Sequence, residues 1–418
     1  MYFHFASNFN TIVMSNQILQ IVVAISLLLS YAKIEARQSL SEVEDLELER
    51  QLKLINKPAI KTIKTNDGDI YDCVDFYKQP AFDHPLLQNH DFHPEMKPTL
   101  SKSRIDAKAL SFEKPSKIGL KGGGCPSGTV PNKRVTKEDL IRYQHMQDMK
   151  KNLNDHGNNI TNSKASISLD EIHPFQYAET EIPGADINIL RGAGMITTIH
   201  APMNVQKDQF SGARVRLENG LSDAIEVGWI VHPTLNGDNT PRLYARFEVG
   251  SAGCFNTLCS GFVLVNTDIP LGMPLVPSRI GGPINSQIMY LEQDVANGNW
   301  WVMLGEDYKQ VGFWPKSIFT TLQAYATGGK YGGITYSPQG LQFPPMGSGL
   351  FPKRNLLENA YFRKCTFMCF VNNEMVTYSL DHIGTYPFQS NTTLYTVQDF
   401  IEQGDVLGHL IVYGGPGG

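Results

Sequence analysis

Ala224-Ile225-Glu226-Val227-Gly228-Trp229-Ile230-Val231-His232 alternates with a period of two. In an extended chain successive side chains point to opposite faces, so Ile225, Val227, Trp229 and Val231 share one face while Glu226 shares the other with Gly228, Ile230 and His232. Such a segment is a strand with one wholly apolar side and a carboxylate on the other. Outward from it, the same alternation starts near Gln176, and turn signals stand at Asn236-Gly237-Asp238 and Asn297-Gly298-Asn299 with no long helical pattern between them. Strands of this kind joined by tight turns predict an antiparallel β-sandwich over residues 171–418. Charge and glycine content divide the chain at the same place. Residues 1–170 carry 22 Lys/Arg and 20 Asp/Glu, leaving 14 and 21 for residues 171–418, which also hold 30 of the 37 glycines and all four tryptophans. The net charge of −5 lacks the basic excess that a nucleic-acid binder uses against phosphates.

The front half reads as a leader followed by a charged region, either α/β or mostly helical. Ile18 to Ser30 is an almost uncharged apolar run, and Ser30-Tyr31-Ala32 resembles a signal-peptidase site, so residues 1–36 are read as a signal peptide of a secreted, extracellular protein. The run is too short for the roughly 20 residues of a membrane-spanning helix, which argues against a stable membrane anchor. Asn159 and Asn391 open glycosylation sequons. Six cysteines in an oxidising compartment permit three bridges. Cys254 and Cys259, around a four-residue loop, are expected to pair, and Cys73 and Cys125 remain as a front-half pair. Cys365 and Cys369 lie in a β-like run that holds their Cα atoms roughly 13 Å apart, beyond disulfide reach, so a free thiol or an intermolecular bridge is left open. Leu40, Val43 and Leu46 recur at helical spacing, and Thr136 with Asp139 opens a second helix with an apolar stripe through Leu140, Tyr143 and Met146. His84, His90 and His93 lie near aspartates, but Pro80, Pro85 and Pro94 break up any regular ligand spacing, and no metal or other cofactor is expected. Residues 152–170 are polar and without periodicity, an exposed linker of the sort proteases cut.

No nucleophile elbow, Walker loop, zincin motif or dinucleotide fingerprint occurs. Instead, Cys73 to His90 resembles the activation-peptide segment of the plant neprosin family. The back half is similar to its peptidase domain at Ile225-Glu226-Val227-Gly228-Trp229, Gly253-Cys254, Cys259-Ser260-Gly261-Phe262-Val263 and Ile269-Pro270-Leu271-Gly272-Met273. The likeness continues at Gly298-Asn299-Trp300-Trp301, Val311-Gly312-Phe313-Trp314-Pro315, Met346-Gly347-Ser348-Gly349-Leu350-Phe351-Pro352 and Tyr413-Gly414-Gly415-Pro416-Gly417. The resemblance divides the chain into residues 37–151 as activation peptide, the linker, and residues 171–418 as peptidase domain. It implies a secreted glutamic endopeptidase that cuts near proline, is made as a zymogen and works in acid, with two glutamates facing each other across a groove between curved sheets. One carboxylate takes a proton from the attacking water and the other, protonated, stabilises the oxyanion or the leaving amine.

Glu226 matches the first of these glutamates. The second belongs in a motif that here reads Tyr331-Gly332-Gly333-Ile334-Thr335-Tyr336-Ser337, where position 334 is isoleucine, which neither donates nor titrates. Glu248, Glu292 and Glu306 are nearby acids outside the matching strand position. Beside an apolar Ile334, desolvation is expected to raise the pKa of Glu226. Two functions therefore compete: a weakened or inactive glutamic peptidase, and a non-catalytic sandwich that binds a proline-rich peptide or cell-wall glycoprotein through Trp229, Trp300, Trp301, Trp314 and Tyr336 as groove residues.

Overall fold

The computed structural model describes residues 43–99, 105, 110–146, 173–182, 189–372 and 374–418. The signal-peptide region, the linker and Asn159 lie outside them. Two compact units divide the chain, residues 1–54 and residues 55–418. The described part of the first is helical from residue 43, with an ion pair of 2.7 Å between Arg50 and Glu47 one turn apart.

The second unit begins with β1 (Ala59–Lys64), β2 (Ile70–Asp75), β3 (Glu113–Pro115) and β4 (Thr129–Lys133), of which β1, β2 and β4 form a three-stranded antiparallel sheet in the order β1-β2-β4. The front region is thus α/β, and the mostly helical alternative is not realised. The central strand β2 is buried on both sides, so it shows no alternation in sequence to announce it. Its Cys73 is bonded to Cys125, with Cα atoms 5.4 Å apart. A helix over residues 137–146 starts as expected: the Thr136 hydroxyl accepts from the Asp139 amide at 3.1 Å and the Asp139 carboxylate accepts from the Thr136 amide at 2.9 Å, satisfying two amides that have no partner within the helix.

Strands β5 (Phe175–Ile182), β6 (Gly192–Thr198), β7 (Phe210–Asn219), β8 (Asp223–Val231), β9 (Arg242–Val249), β10 (Ala252–Phe255) and β11 (Val263–Leu264) follow, then β12 (Ile284–Gln293), β13 (Trp300–Leu304), β14 (Lys309–Trp314) and β15 (Gly328–Tyr336). The last five are β16 (Ala360–Val371), β17 (Glu374–Ser379), β18 (Tyr386–Gln389), β19 (Thr396–Phe400) and β20 (Leu410–Gly414). A seven-stranded sheet runs β10-β9-β8-β7-β15-β5-β18. A ten-stranded sheet runs β11-β14-β13-β12-β6-β16-β20-β19, with β17 beside β16 and β3 beside β12. All these pairings are antiparallel except β3 with β12.

Between the two sheets lies the core. Ile225, Val227, Trp229 and Val231 enter it from β8, Ala213, Val215 and Leu217 from β7, and Leu243, Ala245 and Phe247 from β9, as period-two alternation requires. All four tryptophans are in this core and essentially inaccessible. This corrects the expectation that Trp229, Trp300, Trp301 and Trp314 line a groove. An indole buried this deeply contributes packing, and truncation of one to alanine costs about 3–5 kcal/mol. The Trp229 and Trp300 N–H groups donate to the Thr198 and Leu322 carbonyls at 2.8 Å each, which makes their burial affordable. Cys254 and Cys259 are bonded, while Cys365 is buried with a free thiol and Cys369 is half-buried and also free. The histidines of the front region have local roles: His84 accepts from the Leu86 amide at 3.3 Å, and His90 stacks on Phe82 at 3.7 Å.

Candidate active site

The seven-stranded sheet turns its other face away from the core, and on this face the sheet register decides which side chains meet. Glu226 on β8 pairs with Arg216 on β7 and Arg246 on β9. Two residues along β7, Arg214 sits between Gly228 of β8 and Gly332 of β15, whose own neighbour on β5 is Glu179. A Cβ at Gly228 would collide with the Ala213 carbonyl, and one at Gly332 with the Ala178 carbonyl and the Glu179 Cα. Gly228 therefore lets β8 close up on β7 at Arg214, and Gly332 lets β15 close up on β5 at Glu179.

The result is a buried charge lattice. Glu226 Oε2 lies 2.9 Å from Arg214 Nε and 3.4 Å from Arg216 Nη1, its Oε1 lies 3.3 Å from Arg246 Nη1, and the Tyr244 hydroxyl donates to Oε1 at 3.5 Å. Glu248 accepts from Arg216 at 2.8 Å and also pairs with Arg246, Glu218 pairs with Arg216 at 2.9 Å, and Glu179 lies 3.2 Å from Arg214. Burial pushes the Glu226 carboxyl up, but Arg214, Arg246 and Arg216 together outweigh it and hold the group below the usual carboxylate range. The expected rise is corrected for a plain reason: Glu226 is desolvated among three guanidinium groups, whose charges outweigh the desolvation. Glu179 behaves oppositely. Buried, with Arg214 as its close cation, it is pushed above the usual range.

Ile334 stands on the same face of the same sheet, on β15, with β7 between it and β8. Its partners in register are Gly212 and Tyr177, whereas the β15 residue in line with Glu226 through Arg216 is Lys330. Positions 226 and 334 thus do not oppose each other across a cleft between strands; they are offset by four residues, roughly 13 Å of extended chain. Ile334 is buried in an apolar cluster with Phe210, Ile230, Tyr244 and Tyr336, flanked by Phe175, Tyr177 and Phe255. Tyr336 is the one expected groove aromatic found on this face, stacked 5.6 Å from Phe210. The face has an apolar, aromatic half around Ile334 and an ionic half around Glu226, linked by cation–π contacts of Arg214 over Tyr177 and Arg246 over Phe255 at 5.6 and 5.2 Å.

Of the other acids considered, Glu248 joins the lattice, whereas Glu292 lies buried on β12 of the other sheet and Glu306 is exposed in the β13–β14 turn. Glu179 and the three arginines were missed. Their signal was present in the alternations Phe175-x-Tyr177-x-Glu179-x-Glu181, Arg214-x-Arg216-x-Glu218 and Tyr244-x-Arg246-x-Glu248, each of which puts its polar residues on one face.

The front region grips this unit at several edges. Asp69 lies 2.6 Å from Arg242 and 2.9 Å from Lys133, and Gln79 exchanges two hydrogen bonds with the backbone of Leu264. The helix over residues 137–146 brings Tyr143 to Cys259 at 3.6 Å and His145 to Asp208 at 3.2 Å.

An antiparallel double-sheet domain, with a front segment bound to it and an acidic–basic face beside an aromatic one, defines the class of protein. Residues 207–416 match the Neprosin family model and residues 62–179 match that of the Neprosin activation peptide, and the chain belongs to the neprosin family. Among solved structures, it is similar to scytalido-glutamic peptidase with a peptide-based transition state analog (11% identity, 58% of this chain and 97% of that chain, TM-score 0.31). The same peptidase with a transition state analog inhibitor matches at 12% identity, 57% and 97% coverage and a TM-score of 0.32. SCP-B, a member of the eqolisin family of peptidases, in complex with the tripeptide Ala-Ile-His matches at 11%, 58% and 97%, with a TM-score of 0.29. The activation-peptide match extends into β5, a strand held between β15 and β18 in the sheet, so a cut within residues 147–172 would leave β5 in place.

Proposed function

We propose that this protein is a secreted neprosin-family glutamic endopeptidase made as a zymogen, with residues 1–36 as its signal peptide and residues 37–151 as its pro-region, whose proline-directed hydrolysis is weakened or lost. The observation that carries this reading is the isoleucine at position 334, buried among aromatic rings where the family resemblance calls for a carboxylate. Glu226, held ionised by three arginines, is suited to accept a proton only at low pH and has no protonated partner at 334. A general acid or base contributes about 10²–10⁴-fold to such a reaction, so half a dyad leaves little rate. What remains is an aromatic patch whose half-buried rings, Phe175 and Tyr177, are backed by the buried Phe210 and Tyr336 and can pack against the rings of an extended, proline-containing peptide.

A second reading, in which activity persists, is favoured by Glu179. It shares Arg214 with Glu226 and is pushed toward its protonated form, so the two carboxyls are driven apart in pKa as an acid–base pair requires. Cleavage of a proline-containing peptide at acid pH, measured after maturation, separates the readings. Wild type should be slow and Ile334→Glu should gain on the order of 10²-fold. Adding Glu226→Gln tests the partner, since loss of the gain would pair the two positions despite their four-residue offset, while a gain that survives would place the second carboxylate elsewhere on the sheet face. A fully active wild type that Glu179→Gln silences would overturn the first reading in favour of the second.

A further inference from the structure

On the far side of the molecule from Glu226, the front region inserts one carboxylate into the ten-stranded sheet. Glu113 and Arg363 are each about 1% exposed. Arg363 Nε donates to both Glu113 carboxylate oxygens at 3.0 Å, its Nη2 donates to Oε2, and the Tyr361 hydroxyl donates to Oε1 at 2.7 Å. The remaining guanidinium nitrogen donates to the Val406 carbonyl at 3.0 Å, which fixes Arg363 from behind. Around this contact the chain is an added strand: β3 runs parallel to β12, the Ile284 amide donates to the Phe112 carbonyl at 3.2 Å and the Ser116 amide donates to the Ser286 carbonyl at 2.7 Å. Phe112 packs beside the apolar cluster of Ile284, Tyr361, Leu410 and Val412 on the outer face of the sheet. A cavity of about 260 Å³ adjoins the pair, with Arg363 in its wall and the exposed carboxylates of Glu306 and Asp307 also lining it.

Arg363 and Tyr361 belong to the stretch matched by the Neprosin model, Glu113 to the stretch matched by the activation peptide. The ion pair therefore joins two parts that the family treats as separable. Without Glu113, Arg363 would be a buried cation with one carbonyl as its partner, and breaking a buried pair by removing one member is strongly destabilising because the other charge is left uncompensated. Such a cation selects a carboxylate from whatever can reach it, and the hydrogen-bonding backbone of β12 selects an extended chain to carry it.

We infer that Arg363, Tyr361 and the Ile284–Ser286 backbone form a carboxylate-binding site for an extended peptide in which an acidic residue follows an aromatic one. Phe112-Glu113 fills it in the uncut chain, and a partner peptide of that pattern takes it once the front segment leaves. Only the moment of opening rests on the zymogen reading; the site itself does not.

The test uses the full-length chain. Glu113→Ala should lower the Tm, and sodium acetate at pH 7 should recover a large part of the loss where sodium chloride of equal ionic strength does not. Wild type and Glu113→Ala/Arg363→Met should show no acetate-specific shift, the former because its site is filled and the latter because the cation is gone. If Glu113→Ala does not fold in chloride, refolding in acetate or adding Arg363→Met should recover it, and failure of both overturns the site. An acetate effect that persists in the double variant also overturns it. For the peptide, the full-length Phe112→Ala/Glu113→Ala chain should bind a fluorescent peptide with the sequence of residues 110–118 at least tenfold more tightly than the same peptide with Gln at position 113. Equal affinities would overturn the role as a peptide receptor, while the acetate result stands apart from whether the chain is ever matured.

Discussion

Two carboxylates on one sheet face, Glu226 and Glu179, illustrate how little a residue's identity says until its neighbours are known. Both are buried and both touch Arg214, yet one is held below and the other above the ordinary range, because Glu226 has two further guanidinium groups within 3.4 Å and Glu179 does not. A solvent-facing strand glutamate can be replaced at a change within about 0.5 kcal/mol. Glu226 is not one: Glu226→Leu strips Arg214, Arg216 and Arg246 of a shared counter-charge and should lower unfolding stability by about 3–5 kcal/mol, read from urea denaturation of the full chain. An unchanged midpoint would mean that the arginines are served by Glu179, Glu218 and Glu248 alone. This loss is separate from catalysis, so a silent Glu226 variant is informative about the reaction only if its stability is measured beside its rate.

Strand β15 shows how far an element could be anticipated. The face shared by Ile334 and Tyr336 follows from period two, and the capped helix beginning after Thr136 follows from its own signature residues. The strands β1, β2 and β4 did not show, because β2 is covered on both sides and lacks alternation. The burial of the tryptophans on β13 and β14 was equally hidden, since both strands are covered on both faces and either side of Trp300-Trp301 is interior. The charge lattice was hidden for a different reason: it is assembled from β5, β7, β8, β9 and β15, and their order in the sheet is not written in any one of them. The glycines of β15 become intelligible only with that order known. Gly332 has no left-handed backbone to explain it; what it allows is the close approach of β5, where an added Cβ meets the Ala178 carbonyl and the Glu179 Cα. Gly332→Ala should therefore destabilise the chain by about 1–3 kcal/mol, the usual cost of forced overpacking. Gly328→Ala on the same strand, whose Cβ would make ordinary contact 3.6 Å from Glu218 Cγ, should be near neutral. Thermal unfolding of the pair measures the contrast, and equal effects would mean that strand propensity, not closeness, sets the requirement.

For the whole molecule, the buried titratable groups make stability a function of acidity with a definite sign. His200 and His232 are buried and pushed down to about 3, His200 against the Thr198 hydroxyl at 3.0 Å and His232 accepting from the Leu235 amide, with Asp208 opposing the shift only weakly. Their folded pKa values lie below the unfolded value near 6.5, so the stability they carry is complete above about pH 6.5 and drains away as the pH falls toward 3. Each histidine that the unfolded chain protonates and the folded chain does not steepens the loss by about 1.4 kcal/mol per pH unit. Below about pH 4 the lowered carboxyls of Glu226, Asp69, Asp72, Asp223 and Asp381 add to it in the same direction, because each must be protonated away from its partners. Glu179 alone among these carboxyls acts the other way, since its raised folded value favours the folded state in acid. Urea midpoints taken at pH 7, 6, 5 and 4 should fall continuously. Replacing His200 and His232 together by asparagine should flatten the part of the curve between pH 6 and 5 while leaving the steep part below pH 4, and a profile already flat above pH 4 in the wild type would show that the two histidines are protonated in the folded state. Asp69 of the front region shares its charge with Arg242 of the sandwich, so the acidification below about pH 4 that protonates it weakens the grip of the front segment together with the fold itself.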